Sequence, residues 1–146
     1  MVNYLAPDTV DVANRLRPVL LKLNRELRRE IHSLGVTGGQ VGLLVTIRHN
    51  PGIGVRELAS LERMSTPGMS KLVARLEGAG LVKRTPGEDR RRVGLSLTPE
   101  AEGVLRSVKN RRTAWLAKRL KELDPERIQA IDEAIEALAE LLEEEL

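Results

Sequence analysis

The chain has 146 residues, of which 41% are hydrophobic and 31% charged, and a formal net charge of +3; these values predict one globular domain over residues 1–146. The absence of cysteine and the presence of only two histidines exclude disulfides, thiolate metal sites and histidine-rich metal sites. The sequence shows no signal-peptide pattern and no apolar run long enough to cross a bilayer, so we expect a cytoplasmic protein.

The positive charge is concentrated in the middle of the chain. Ten lysines and arginines accompany five acidic residues between Arg48 and Arg92, whereas ten acidic residues accompany one arginine between Glu122 and Leu146. This asymmetry indicates a polyanionic partner for the middle segment alone. A solvated surface with uneven charge is the alternative interpretation.

Helical periodicity begins near the N-terminus. Leucine and isoleucine recur every three or four positions over residues 9–34, which predicts a long helix. Pro18 predicts either a kink in this helix or a later start. Thr37 and Gln40 have the spacing of a capping box and predict a second helix that ends near His49.

A short third helix is predicted over residues 55–62, after a turn rich in glycine. The fourth helix begins at Ser65 or Thr66, either of which can cap it, and Pro67 suits its first position. Its predicted buried positions are Met69, Leu72, Val73 and Leu76.

Two strands and two helices complete the chain. Residues 81–84 and 93–97 are predicted to be strands, with a turn and several arginines between them. Thr98 and Asp124, each followed by proline, begin the last two helices. Isoleucine and leucine in the final helix follow a heptad spacing that suits a helix–helix interface. The amphipathic outer helices must pack on each other or on a second copy.

This order predicts a mainly α fold with a small two- or three-stranded antiparallel β-wing, a winged helix-turn-helix. A capped basic helix fits the major groove of DNA, and a basic ribbon beside it can reach the backbone or the minor groove. We therefore expect double-stranded DNA as the partner.

Three local patterns resemble the MarR family of bacterial winged helix-turn-helix transcription regulators. They are the segment 72–84, the Asp89-Arg90-Arg91 wing followed by residues 93–98, and Val36-Thr37 with Gln40. The resemblance implies a DNA-binding part over residues 37–98 and a helical dimerisation part formed by residues 9–34 and 99–146. It also implies a homodimer, a palindromic operator, and release of DNA by a small phenolic, aromatic or lipophilic effector.

Two positions depart from the family pattern. Ala101 replaces a frequent glycine after the wing, and Val41 replaces a frequent aromatic residue after Gln40. Both changes leave the DNA-binding interpretation intact, whereas the loss of an aromatic wall weakens the expectation of an effector. His32 lies where the family binds effectors, although a packed or solvated histidine is the simpler interpretation.

The expected DNA contacts are small or cationic residues of the fourth helix and the wing: Ser65, Thr66, Pro67, Gly68, Ser70, Lys71, Arg75, Arg84, Arg90 and Arg91. Arg90 would enter the minor groove, and Asp89 would support the wing by orienting Arg91. Arg75 either contacts DNA or supports the wing. Arg56 and Arg63 are weaker candidates for a DNA contact, and a solvated role is the simpler expectation for each.

These features together predict a sequence-specific DNA-binding transcription regulator that acts as a repressor. The alternative is a winged-helix module that binds a protein and no specific DNA; a regulator without an effector is a third possibility. No catalytic constellation or phosphate-cradling loop is recognisable, so we expect no enzymatic activity, no cofactor and no metal.

Overall fold

The computed structural model describes residues 5–87 and 93–143. Helices and two strands follow in this order: α1 Thr9–Glu30, α2 Gly38–His49, α3 Val55–Leu61, α4 Thr66–Gly78, β1 Val82–Pro86, β2 Val93–Leu97, α5 Pro99–Leu120 and α6 Pro125–Glu143. The predicted fold class, mainly α with a small antiparallel wing, is confirmed.

The first helix is continuous through its proline. Asp8 caps it by accepting a hydrogen bond from the Val10 N–H at 3.0 Å, and Pro18 lies inside the helix. A later start at Pro18 is therefore the wrong alternative, since one missing donor does not end a capped helix. The α-helix stops at Glu30, and a 3-10 turn continues to Gly35, whose φ of +76° ends the element.

The second helix begins with the predicted capping box. The Gln40 N–H donates to Thr37 Oγ1 at 3.1 Å, and the Thr37 N–H donates to Gln40 Oε1 at 3.0 Å. Two of the unpaired backbone donors at this helix start are thereby satisfied. This local pairing sets the start of α2 and aims its apolar face at the core.

The hydrophobic core lies between α2, α3 and α4, and it extends to the end of α1, to the two strands and to the first half of α5. Its fully buried large side chains are Ile31, Leu44, Ile47, Leu58, Met69, Val73, Leu76 and Leu95. They come from the end of α1, from α2, α3 and α4, and from β2. Removing this apolar surface from water holds these elements together.

The wing is a two-stranded ribbon joined at one point to the turn before α3. Val82 pairs with Leu97 and Pro86 pairs with Val93, so the strands are antiparallel and in full register. β1 begins one residue later and ends two residues later than predicted. Leu95 also bridges Ile53, donating its N–H to the Ile53 carbonyl at 2.8 Å.

The outer helices leave much apolar surface uncovered. Over the residues that the structure describes, α6 contributes no buried side chain, and α1 none within its α-helical span. Exposed apolar residues on them include Val19, Leu20, Leu21, Leu23, Ile128, Ile131, Ile135 and Leu138. Within residues 5–87 and 93–143, no helix has both the length and the hydropathy of a membrane span.

Candidate nucleic-acid interface

The fourth helix has one buried and one exposed face. Met69, Val73 and Leu76 are buried as predicted, whereas Leu72, also predicted to be buried, is half-buried at the edge of the core. Lys71 and Arg75 are exposed and lie one turn apart, so both project from the same side. Neither forms an ion pair with another side chain of the described segments.

Ser65, rather than Thr66, caps this helix. The Gly68 N–H donates to Ser65 Oγ at 3.1 Å, which leaves Thr66 as the first helical residue. Pro67 occupies the second position instead of the predicted first; the cost is small because that donor has no intrahelical partner either.

The first turn of α4 carries small side chains and is largely exposed to solvent. A Cβ atom at Gly68 would lie 2.9 Å from Ser65 Oγ, so a larger residue there would require the capping hydroxyl to shift. Thr66 and Pro67 are exposed, and Ser70 is half-buried beside Met69. Small side chains at a helix N-terminus allow a phosphate or a base edge to approach the backbone donors closely.

Arg75 borders a cavity of about 350 Å³ between α2 and α4, which Glu62 also lines. Glu62 is engaged elsewhere, because its Oε1 accepts a hydrogen bond from Thr46 Oγ1 at 2.7 Å. The two roles expected for Arg75, DNA contact and wing support, both stay predictions, since no ion pair within residues 5–87 and 93–143 includes it.

Arg84 has a partner that the sequence interpretation missed. Its Nε lies 3.3 Å from both carboxylate oxygens of Glu77, so the pair joins the end of α4 to β1. The available signal was the placement of opposite charges on either side of the Gly78-Ala79-Gly80 turn. The arginine is thus held beside the recognition helix instead of being solvated alone.

The turn between α3 and α4 contains a backbone conformation that the sequence does not reveal. Arg63 has a φ of +52° and is the one non-glycine residue with a positive φ in residues 5–87 and 93–143. Its N–H donates to the Ser60 carbonyl at 3.2 Å, and the Met64 N–H donates to the Ala59 carbonyl at 2.8 Å. These bonds fix the turn immediately before the cap of α4.

The wing tip carries the strongest predicted contacts, Arg90 and Arg91, with Asp89 as their support. These three residues lie outside the described residues, so their predicted roles stay predictions. The described strands are paired as far as Pro86 and Val93.

Two polar contacts join α5 to the end of the α1 segment and to α2. Arg111 of α5 donates to Ser33 Oγ at 2.7 Å, and Arg48 of α2 lies 3.6 Å from Glu102 of α5. Near the first contact, a groove of about 480 Å³ is lined by Leu21, Asn24, Arg25, Arg28, Arg29 and His32. His32 is exposed there rather than packed in the core.

Known proteins resemble this chain in both sequence and architecture. The model of the MarR family matches residues 34–92, which include the helix-turn-helix and the first strand of the wing. An HTH-type transcriptional regulator of Mycobacterium leprae is 27% identical, with 91% of this chain and 94% of that protein covered. The HTH-type transcriptional repressor MdtR of Bacillus subtilis is 28% identical, with 80% and 76% covered.

A solved structure agrees over the outer helices as well. The transcriptional regulator Tm0710 of Thermotoga maritima superimposes with a TM-score of 0.77 at 27% identity, and 94% of this chain and 97% of that one are covered. The likeness therefore includes the helices beyond the segment that the family model matches. The chain belongs to the MarR family and is a winged helix-turn-helix transcriptional regulator, not an enzyme.

Proposed function

We propose that two copies of this chain bind a palindromic operator and repress transcription. In each copy, α4 enters a major groove and the wing reaches the flanking minor groove, with half-sites about 34–36 Å apart. The DNA-binding part comprises residues 37–98. The observation that carries the proposal is the exposed face of α4, where Lys71 and Arg75 stand beside an open, capped N-terminus.

The uncovered apolar faces of α1 and α6 support the dimer. Ile135 is 57% exposed and Leu21 60% exposed, on helices whose apolar residues follow a regular stripe. A second copy of residues 9–34 and 99–146 would cover these faces and so remove them from water. The spacing of the two DNA-binding parts then follows from the packing of the outer helices.

The proposal that the protein represses transcription is based on a similar protein. MdtR of Bacillus subtilis is named a transcriptional repressor, and steric exclusion of polymerase is the simplest consequence of covering an operator. A protein that binds its operator in this way works in the cytoplasm, where bacterial DNA lies.

The groove lined by Arg25, Arg28, Arg29 and His32 supports an effector. Several cationic side chains in one open groove favour a small anion, such as a phenolic carboxylate, over a neutral lipophilic compound. The groove lies beside the Arg111–Ser33 contact, which joins α5 to the 3-10 turn after α1, so a ligand there would act on the packing of the outer helices and, through it, on the spacing of the DNA-binding parts. Stabilisation in a thermal-shift screen of phenolic carboxylates would identify it.

Fluorescence anisotropy with the DNA upstream of the protein's own gene tests the proposal. With about 6–10 phosphate contacts in the dimer, affinity should fall about a thousandfold or more between 50 and 200 mM salt. Replacing Arg90 by alanine should weaken operator binding and leave the dimer intact. Equal binding to a random duplex, or a flat salt profile, would favour the alternative of a protein-binding module.

A further inference from the structure

The turn between α3 and α4 carries an arginine where the backbone favours glycine. Arg63 follows Glu62, the C-cap of α3, and adopts the left-handed conformation. Side chains with a Cβ rarely adopt this conformation, because the Cβ approaches the neighbouring carbonyl oxygen. Glycine or asparagine would end α3 at a lower conformational cost.

Among residues 5–87 and 93–143, no side-chain ion pair or hydrogen bond explains the arginine. Arg63 is exposed, and no ion pair includes it within the described part of the chain. The adjacent carboxylate of Glu62 bonds to Thr46 instead. The backbone of Arg63 is held by the hydrogen bonds of the turn, so the conformation is imposed by the fold and not by the side chain.

The position of the turn brings the Arg63 side chain close to the N-terminus of α4. Arg63 stands two residues before Ser65, the cap of α4, and therefore beside the end of the helix that enters the major groove. Phosphates border that groove on both sides, and a planar guanidinium bonds a phosphate with two parallel donors. Local strain at an exposed residue is typical of functional positions.

We propose that Arg63 is a DNA-backbone contact, which binds a phosphate at the edge of the major groove entered by α4. This inference rests on the proposed operator binding and adds a residue to it. Arg63 would raise the affinity for DNA and fix the position of α4 in the groove. It would not contribute to sequence specificity, since phosphates are common to all sites.

The test compares R63G, R63K and the control R106Q on the same operator. R63G removes both the charge and the strained side chain, so its Tm should rise by a few degrees while its operator affinity falls about tenfold or more. Its slope of log affinity against log salt should decrease by about 0.9 for each phosphate that is no longer neutralised, which amounts to about 1.8 for the dimer.

The other variants separate charge from conformation. R63K keeps a cation at the position and should retain most of the wild-type salt slope. R106Q removes one charge from an exposed site on α5 and should bind as the wild type does. If R63G keeps the wild-type affinity and slope, the phosphate contact is refuted while operator binding stands. If the wild type prefers no sequence over random DNA, both are refuted.

Discussion

The Nε atom of Arg84 on β1 lies 3.3 Å from each carboxylate oxygen of Glu77 on α4. This ion pair connects the recognition helix directly to the first strand of the wing. Since both elements are proposed to touch DNA, the pair keeps the cation of the wing strand at a fixed position relative to the helix.

A double-mutant cycle with E77A and R84A should give a small coupling free energy. The two side chains are about two-fifths exposed, and water screens such pairs, so we expect about 0.2–1 kcal/mol from urea unfolding. The coupling should shrink in 1 M salt. A coupling that is absent at low salt would mean that the ion pair does not persist in solution.

Ser65 should separate helix stability from DNA binding. S65A removes the cap of α4 and should lower the free energy of unfolding by about 1 kcal/mol. S65D and S65N can both cap, so both should keep nearly wild-type stability.

Their affinities should differ, because the aspartate charge repels phosphate where the helix meets DNA. S65D should bind the operator more weakly than S65N, and anisotropy measures the difference. Equal affinities of the two variants would place the N-terminus of α4 away from the DNA.

The wing is anchored where Gly94 touches Gly52. A Cβ atom at Gly94 would lie 2.7 Å from the Gly52 carbonyl oxygen and 2.9 Å from its Cα, and backbone atoms cannot rotate away. G94A should therefore lower the free energy of unfolding by about 1–3 kcal/mol.

G42A is the matched control for that substitution. Gly42 lies in α2, is exposed, and has open space around its Cβ position. Because alanine is the better helix former, G42A should stabilise the protein by up to about 1 kcal/mol. Equal effects of the two alanines in chemical denaturation would contradict the proposed close approach of the wing to the turn.

The apolar face of α6 should hold the dimer together. I135E places a charge on that face in both copies, and burying an unpaired charge is costly, so the dimer dissociation constant should rise at least about a hundredfold. E136Q, one residue away on the same helix, should leave it unchanged. Sedimentation velocity across a concentration series distinguishes the two results, and an undisturbed I135E dimer would place the interface elsewhere.

Elements set by neighbouring residues could be predicted from the sequence. The Thr37–Gln40 capping box and the cap of α4 are signals within four residues, and the structure has both. The stripe of Met69, Val73 and Leu76 was predictable for the same reason, because helical periodicity alone decides which positions share a face.

Features that depend on the fold as a whole could not be predicted in the same way. The Ile53–Leu95 bridge joins residues 42 positions apart, and the Glu77–Arg84 pair requires the turn between them to bring α4 and β1 together. The left-handed Arg63 was missed because arginine does not signal that conformation. The apolar stripe of α6 was predicted from the sequence, but the surface proposed to cover it belongs to a second copy of the chain.

Hydroxyl-radical footprinting of the DNA upstream of the gene shows where each copy sits, and so decides whether two copies bind one operator. We expect two protected segments related by two-fold symmetry, with centres about one helical turn, or 34–36 Å, apart. Protection that is a single asymmetric block, or that is no stronger than on random DNA at micromolar protein, would contradict the proposed dimer on a palindrome.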